Sequence, residues 1–114
     1  MKKSFFLLGA IVLIFGLCGC KKSNSSTPAA TPPANEVFLQ NTAFTPGSIT
    51  VAVNTTIKWT NKDGFTHTVT SNSALFDSGN IPSNGTYSHQ FTTTGTFPYH
   101  CSIHSSMTGT VIVQ

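Results

Sequence analysis

The sequence contains no arginine, and its charged residues are few, six lysines against three acids in 114 residues. Lys2, Lys3, Lys21 and Lys22 all precede Ser23, which leaves Lys58 and Lys62 against Glu36, Asp63 and Asp77 in the remainder. A nucleic-acid-binding surface needs a clustered basic footprint, and none is present here, so that function class is excluded. Cysteine is equally scarce. Cys18 and Cys20 sit together near the start and only Cys101 lies further on, so no disulfide framework can staple the later part of the chain. The apolar run from Phe5 to Leu17 is shorter than the roughly 18 residues that a bilayer-spanning helix takes. No window shows a convincing helical period, and there is no internal repeat.

What the first third does contain is organised. Met1-Lys2-Lys3 followed by a short apolar stretch has the layout of a secretory signal peptide, and Leu17-Cys18-Gly19-Cys20 resembles the bacterial lipobox. That resemblance implies a signal peptide over residues 1–19 and a mature chain that begins at Cys20, with the lipid on the Cys20 sulfur. Residues 20–35 then read as the lipidated cysteine and a linker, because Ser, Thr, Ala and Pro dominate and too little apolar surface is available to fold. Lys21 and Lys22 lie where they can face anionic head groups or simply favour solubility. Residues 36–114 form a single small domain, near the lower size limit for one unaided hydrophobic core.

Within that domain, short strand patterns alternate with turn signals. Val37 and Leu39 share a face, Thr45-Pro46-Gly47-Ser48 turns, and Ile49, Val51 and Val53 share a face. Asn54-Thr55 turns again before Ile57 and Trp59. Asn61-Lys62-Asp63-Gly64 is a loop by composition, and the β-branched stretch Thr66 to Thr70 reads as a strand. Ser71 to Asn84 is less regular, with Leu75 and Phe76 as expected core plugs. Tyr87, His89 and Phe91 alternate, as do Phe97, Tyr99 and Cys101, and Val111 and Val113 close the chain. These features predict an all-β sandwich of about seven to eight strands, with Phe38, Phe44, Val51, Ile57, Trp59, Val69, Phe91 and Phe97 available to its core.

If Cys20 is acylated, Cys101 is a lone thiol in an exported domain, which is unusual and suggests that something occupies the sulfur. Cys101, His104 and Met107 are spaced by three and three, on a tight loop whose ends are held by strands. His67, after a Gly-containing loop, is well placed to supply a fourth donor from a distant segment. Taken alone, His67 reads as a surface or structural histidine, Met107 as core packing and Cys101 as an inert buried thiol. Taken together, one thiolate, two imidazoles and one thioether match a trigonal His₂Cys copper site with a long axial Met. Zinc could misload such a site, but structural zinc generally uses Cys and His without Met. His100, adjacent to Cys101 on a strand, points to the opposite face, and His89 reads as structural. Asp63 and Asp77 have no partner that suggests acid–base catalysis, and no serine or threonine is paired with a base, so an enzyme is not expected.

The segment Gly95-Thr-Phe-Pro-Tyr-His-Cys-Ser-Ile-His-Ser-Ser-Met-Thr-Gly-Thr-Val-Ile-Val113 resembles the C-terminal ligand loop of the cupredoxins, or blue copper proteins. The upstream Ile57-Lys-Trp-Thr-Asn-Lys-Asp-Gly-Phe-Thr-His-Thr-Val-Thr70 resembles the part of that family that supplies the first histidine. The two residues between His104 and Met107 match the short loop of amicyanin-like members, whereas plastocyanin-like members have a longer one. The resemblance implies a Greek-key β-sandwich and one type 1 copper alternating between Cu(I) and Cu(II). It assigns His67 and His104 as nitrogen ligands, Cys101 as the thiolate and Met107 as the axial ligand. Thr68 stands where many family members have an asparagine that steadies the cysteine loop, a departure that bears on the reduction potential.

The resemblance further implies a carrier of single electrons between transient redox protein partners, with His104 as the exit and Phe65, Ile103 and Pro46 as its apolar rim. Together with the Cys20 anchor it implies a monomer in the bacterial cell envelope, periplasmic or outer-membrane associated. A copper storage or delivery protein is the alternative, since it also needs Cys, His and Met donors.

Overall fold

The computed structural model describes residues 31–114, so the signal peptide, Cys20 and most of the linker lie outside the described residues. The described chain is all-β, with eight strands in two four-stranded sheets. In chain order these are β1 (Glu36–Gln40), β2 (Ala43–Thr45), β3 (Ser48–Val51), β4 (Thr55–Asn61), β5 (Thr70–Ser71), β6 (Thr86–Phe91), β7 (Gly95–His100) and β8 (Thr108–Val113). One sheet has the order β2-β1-β4-β6 and the other β3-β8-β7-β5. Two neighbouring pairs, β1 with β4 and β3 with β8, are parallel and the rest are antiparallel. The expected sandwich is therefore present.

Alternation explains which residues fill it. Ile57 and Trp59 on β4, Tyr87, His89 and Phe91 on β6, Tyr99 on β7, and Val111 and Val113 on β8 project between the sheets, as a period of two requires. Trp59 is fully buried at the centre, with ring centroids 5.6 Å from Tyr99, 5.7 Å from Tyr87 and 6.1 Å from Phe76. Phe44 meets Tyr99 edge-on at 4.7 Å. Phe38 lies on the other face of β1, yet it is buried too, and the Lys62 ammonium sits 4.7 Å from its ring centroid. The ammonium thus caps the face of an outward aromatic ring.

Three sequence expectations change. Leu75 is 59% exposed, and only Phe76 plugs the core, because adjacent side chains of an extended segment point opposite ways and one of the pair must face out. Val53 also lies outside: β3 stops at Val51, and Val53 and Asn54 form the turn that leads into β4. Thr66 to Val69 do not form a strand, and only Thr70–Ser71 join the sheet. The cause is that the backbone donors there are spent on other acceptors, Thr68 N–H on Cys101 Sγ and Val69 N–H on Ser78 Oγ.

Gly109 shows how closely the Tyr99 ring lies against the neighbouring strand of its own sheet. It pairs with Tyr99 across β7 and β8, and a Cβ at this position would overlap the Tyr99 ring. Gly109→Ala is expected to lower unfolding stability by about 1–3 kcal/mol through overpacking. Gly64→Ala, where nothing lies within 4 Å of the added carbon, should stay within about 0.5 kcal/mol. Urea unfolding of the two variants beside the wild type tests both statements.

Candidate metal centre

The site is built from two segments that are remote in sequence. β7 delivers Cys101 at its end, and the loop from Cys101 returns at once into β8. Cys101 N–H donates to Met107 O at 3.0 Å and Met107 N–H donates to His104 O at 2.9 Å, so the loop is closed like a hairpin. Short closure fixes the directions of the side chains it carries. His67 comes from the segment between β4 and β5, held by a reciprocal backbone pair with Ile81 at 3.1 and 2.8 Å.

These segments bring three donor atoms together. Cys101 Sγ lies 3.8 Å from His67 Nδ1 and 3.7 Å from His104 Nδ1, and the two Nδ1 atoms are 3.1 Å apart. Donor atoms of His67, Cys101 and His104 all lie within 4.8 Å of one another. His67 and Cys101 are fully buried, while His104 is half-buried. Met107 is also buried, at the base of the same loop and packed in the core. Among the described residues Cys101 is the one free cysteine.

The sulfur is prepared to be a thiolate. Burial pushes the Cys101 thiol up, but the Thr68 backbone amide and the two imidazoles outweigh it and hold the group down to about 6. The amide donates to Sγ at 3.3 Å. Thr68 also joins the two segments through its hydroxyl, which accepts from Ser102 N–H at 2.8 Å and lies 3.0 Å from Ser102 Oγ. The threonine that replaces the usual asparagine therefore still ties the histidine segment to the cysteine loop.

Two residues outside the expected donor set belong to the surroundings of the site. Asp63 Oδ2 lies 2.8 Å from His67 Nε2, the ring nitrogen that faces away from the sulfur. Burial pushes the Asp63 carboxyl up, but the Thr42 amide, the His67 ring and the Asn41 amide together hold it below the usual carboxylate range. Asn61, fully buried, accepts from Asp63 N–H and donates to Phe65 O and Ile81 O. Nothing in composition marks either residue. The available signal was an acid on the short loop four residues before His67.

The remaining histidines stay apart, as expected. His100 Nδ1 pairs with Asn72 Oδ1 at 2.6 Å on the outer face, and His89 packs against Phe76 and Phe91 with centroids 4.9 Å away in each case. Of the three rim residues, Phe65 is 48% exposed and 5.5 Å from His104 between ring centroids, and Ile103 is 50% exposed beside it. Pro46 is not on the rim. It lines an open hollow with Pro32, Pro33, Glu36 and Ile49, because β2 runs away from the site before the chain reaches Pro46.

Comparison with known proteins agrees with this geometry. The model of the cupredoxin-like domain family matches residues 7–113. A plastocyanin from Scenedesmus fuscus is 32% identical over 89 residues, covering 62% of this chain and 86% of its own. An amicyanin from Paracoccus denitrificans is 25% identical over 121 aligned positions, covering 95% and 92%. Among solved structures, a purple cupredoxin from Nitrosopumilus maritimus superposes with a TM-score of 0.65 at 25% identity, covering 69% of this chain and 98% of its own.

The depressed thiol carries a pH signature in the metal-free protein. A folded thiol at about 6 against an unfolded one at about 8.5 means that the unfolded chain binds more protons between those values. The wild type should therefore gain stability over Cys101→Ala as pH rises through that window. The advantage is complete above it and lost as pH falls through about 6. Denaturant unfolding of both metal-free proteins across the window checks this, and a constant difference would contradict it.

Proposed function

The chain belongs to the cupredoxin family, and from that premise we propose that it is a type 1 copper protein that carries single electrons between redox partners. The observation that carries the reading is the buried convergence of His67 Nδ1, His104 Nδ1 and Cys101 Sγ within 4.8 Å. Copper is the cofactor that suits one thiolate with two imidazoles. In this reading His67 and His104 would hold it through Nδ1, Cys101 through the thiolate and Met107 through its thioether sulfur. Once bound there, copper supplies a reversible one-electron couple. Four protein ligands leave no position for a substrate, which favours a carrier over an enzyme.

The surrounding residues serve that task by staying still. The Cys101–Met107 backbone bond, the Thr68 amide on the sulfur and the Thr68–Ser102 bond hold the ligands in one arrangement. A site that hardly rearranges lowers the reorganisation that accompanies each transfer. His104 is the half-buried ligand, flanked by exposed Phe65 and Ile103, and it forms the exit for the electron. A small apolar face of this kind suits brief encounters with partner proteins.

The same reading places the domain outside the cytoplasm of a bacterium, tethered through acylated Cys20 by the linker that ends at Asn35. The linker's Ser, Thr and Pro content supports it, because such a chain gives reach without folding. The tether keeps the domain near membrane-bound partners while leaving its apolar face free to reorient.

Two experiments test these statements. Adding copper(II) to the purified protein should produce an intense blue colour from thiolate-to-copper charge transfer. Voltammetry should then show one reversible electron without loss of the metal. Cys101→Ala, folded by circular dichroism, should remain colourless, and a wild type that gives no such band would remove the reading. For the anchor, wild-type protein should fractionate with membranes and Cys20→Ala should not. Equal partitioning of the two would refute lipidation at that sulfur.

A further inference from the structure

His67 is the buried ligand, and its ring has two nitrogens with different surroundings. Nδ1 faces Cys101 Sγ at 3.8 Å, while Nε2 faces Asp63 Oδ2 at 2.8 Å. A nitrogen that binds a metal must offer a lone pair, so the other must carry the hydrogen and needs an acceptor. A backbone carbonyl or a water would serve that need as well as a carboxylate. What Asp63 adds is a full negative charge, held against a ring with no solvent exposure.

The carboxylate is itself placed by strained backbone. Asn41 N–H donates to Asp63 Oδ1 at 2.7 Å and Thr42 N–H donates to Oδ2 at 3.0 Å. Both donors sit at φ 56°, in the left-handed region, which a β-branched residue such as Thr42 rarely enters. Strain of this kind persists where its surroundings over-determine it, and it gathers at functional sites. From the other side, Asp63 N–H donates to the buried Asn61 side chain at 2.9 Å. Three donors thus converge on one carboxylate, and only the bond to His67 leads toward the sulfur.

We propose that Asp63 is a positioning residue of the metal centre. Its Oδ2 accepts the Nε2 hydrogen of His67, fixes the tautomer that presents Nδ1, and makes the imidazole a stronger donor that favours Cu(II) over Cu(I). The inference rests on the copper reading above. The competing role is a purely structural one, in which Asp63 only clamps the β1–β2 turn and contributes stability.

Two substitutions in the full-length protein separate these roles. Asp63→Ala removes the acceptor, so nitrogen NMR of the metal-free protein should show His67 losing its single Nε2–H tautomer. Asp63→Asn keeps an oxygen and removes the charge. Its preference for Cu(II) over Cu(I) should fall about tenfold, which raises a one-electron potential by about 59 mV, with the visible band retained. A potential and a tautomer that match the wild type, with only unfolding stability reduced, would overturn the proposal in favour of the clamp. If the wild type takes up no copper, the copper reading fails on its own account. The tautomer of metal-free His67 then still decides whether Asp63 orients the ring.

Discussion

A thiolate enclosed by protein has lost its water and must be compensated by whatever surrounds it. Cys101 meets that demand with the Thr68 amide at 3.3 Å and with two imidazoles whose Nδ1 atoms lie 3.7 and 3.8 Å away. Most features of the site follow from this requirement. The loop after Cys101 is short, because closure by the Cys101–Met107 bond brings His104 back over the sulfur. The chain from Phe65 to Val69 gives up a strand ladder, because Thr68 directs its N–H at sulfur instead of at a neighbouring strand.

The same demand sets the order of the shells around the sulfur. Nearest are the donors, and behind them lie groups that hold the donors. Thr68 grips Ser102 on one side, while Asp63 and Asn61 hold the His67 segment on the other. Behind these again is the aromatic core centred on Trp59, which fixes the distance between the sheets and hence between the segments that carry His67 and Cys101. The site is therefore stiff because a dense core stands beneath it. The opening toward solvent is limited to the His104 edge between Phe65 and Ile103.

Much of this was legible in the sequence, for identifiable reasons. Cys101 and His104 lie within one loop, so their convergence is a local matter, and alternation with turn signals marked most strands and core positions. Where reading by pattern failed, a non-local contact had intervened. Leu75 and Phe76 are both apolar, and only the packed sandwich decides which one is buried. Pro46 resembles a rim residue until the direction of β2 is known. Asp63 looks like one of three scattered acids until the β1–β2 turn closes over it.

Residue types and their spacing, by themselves, determined an all-β domain with a sulfur–imidazole donor set, because periodicity and donor chemistry are properties of the chain. Tertiary structure alone decided that His67 reaches Cys101 across 34 residues, that Thr68 serves in place of an asparagine, and that a carboxylate stands behind the buried imidazole. Those outcomes depend on how two sheets pack against each other. A pattern of residues along one dimension carries no distance between segments that meet only when the sandwich closes.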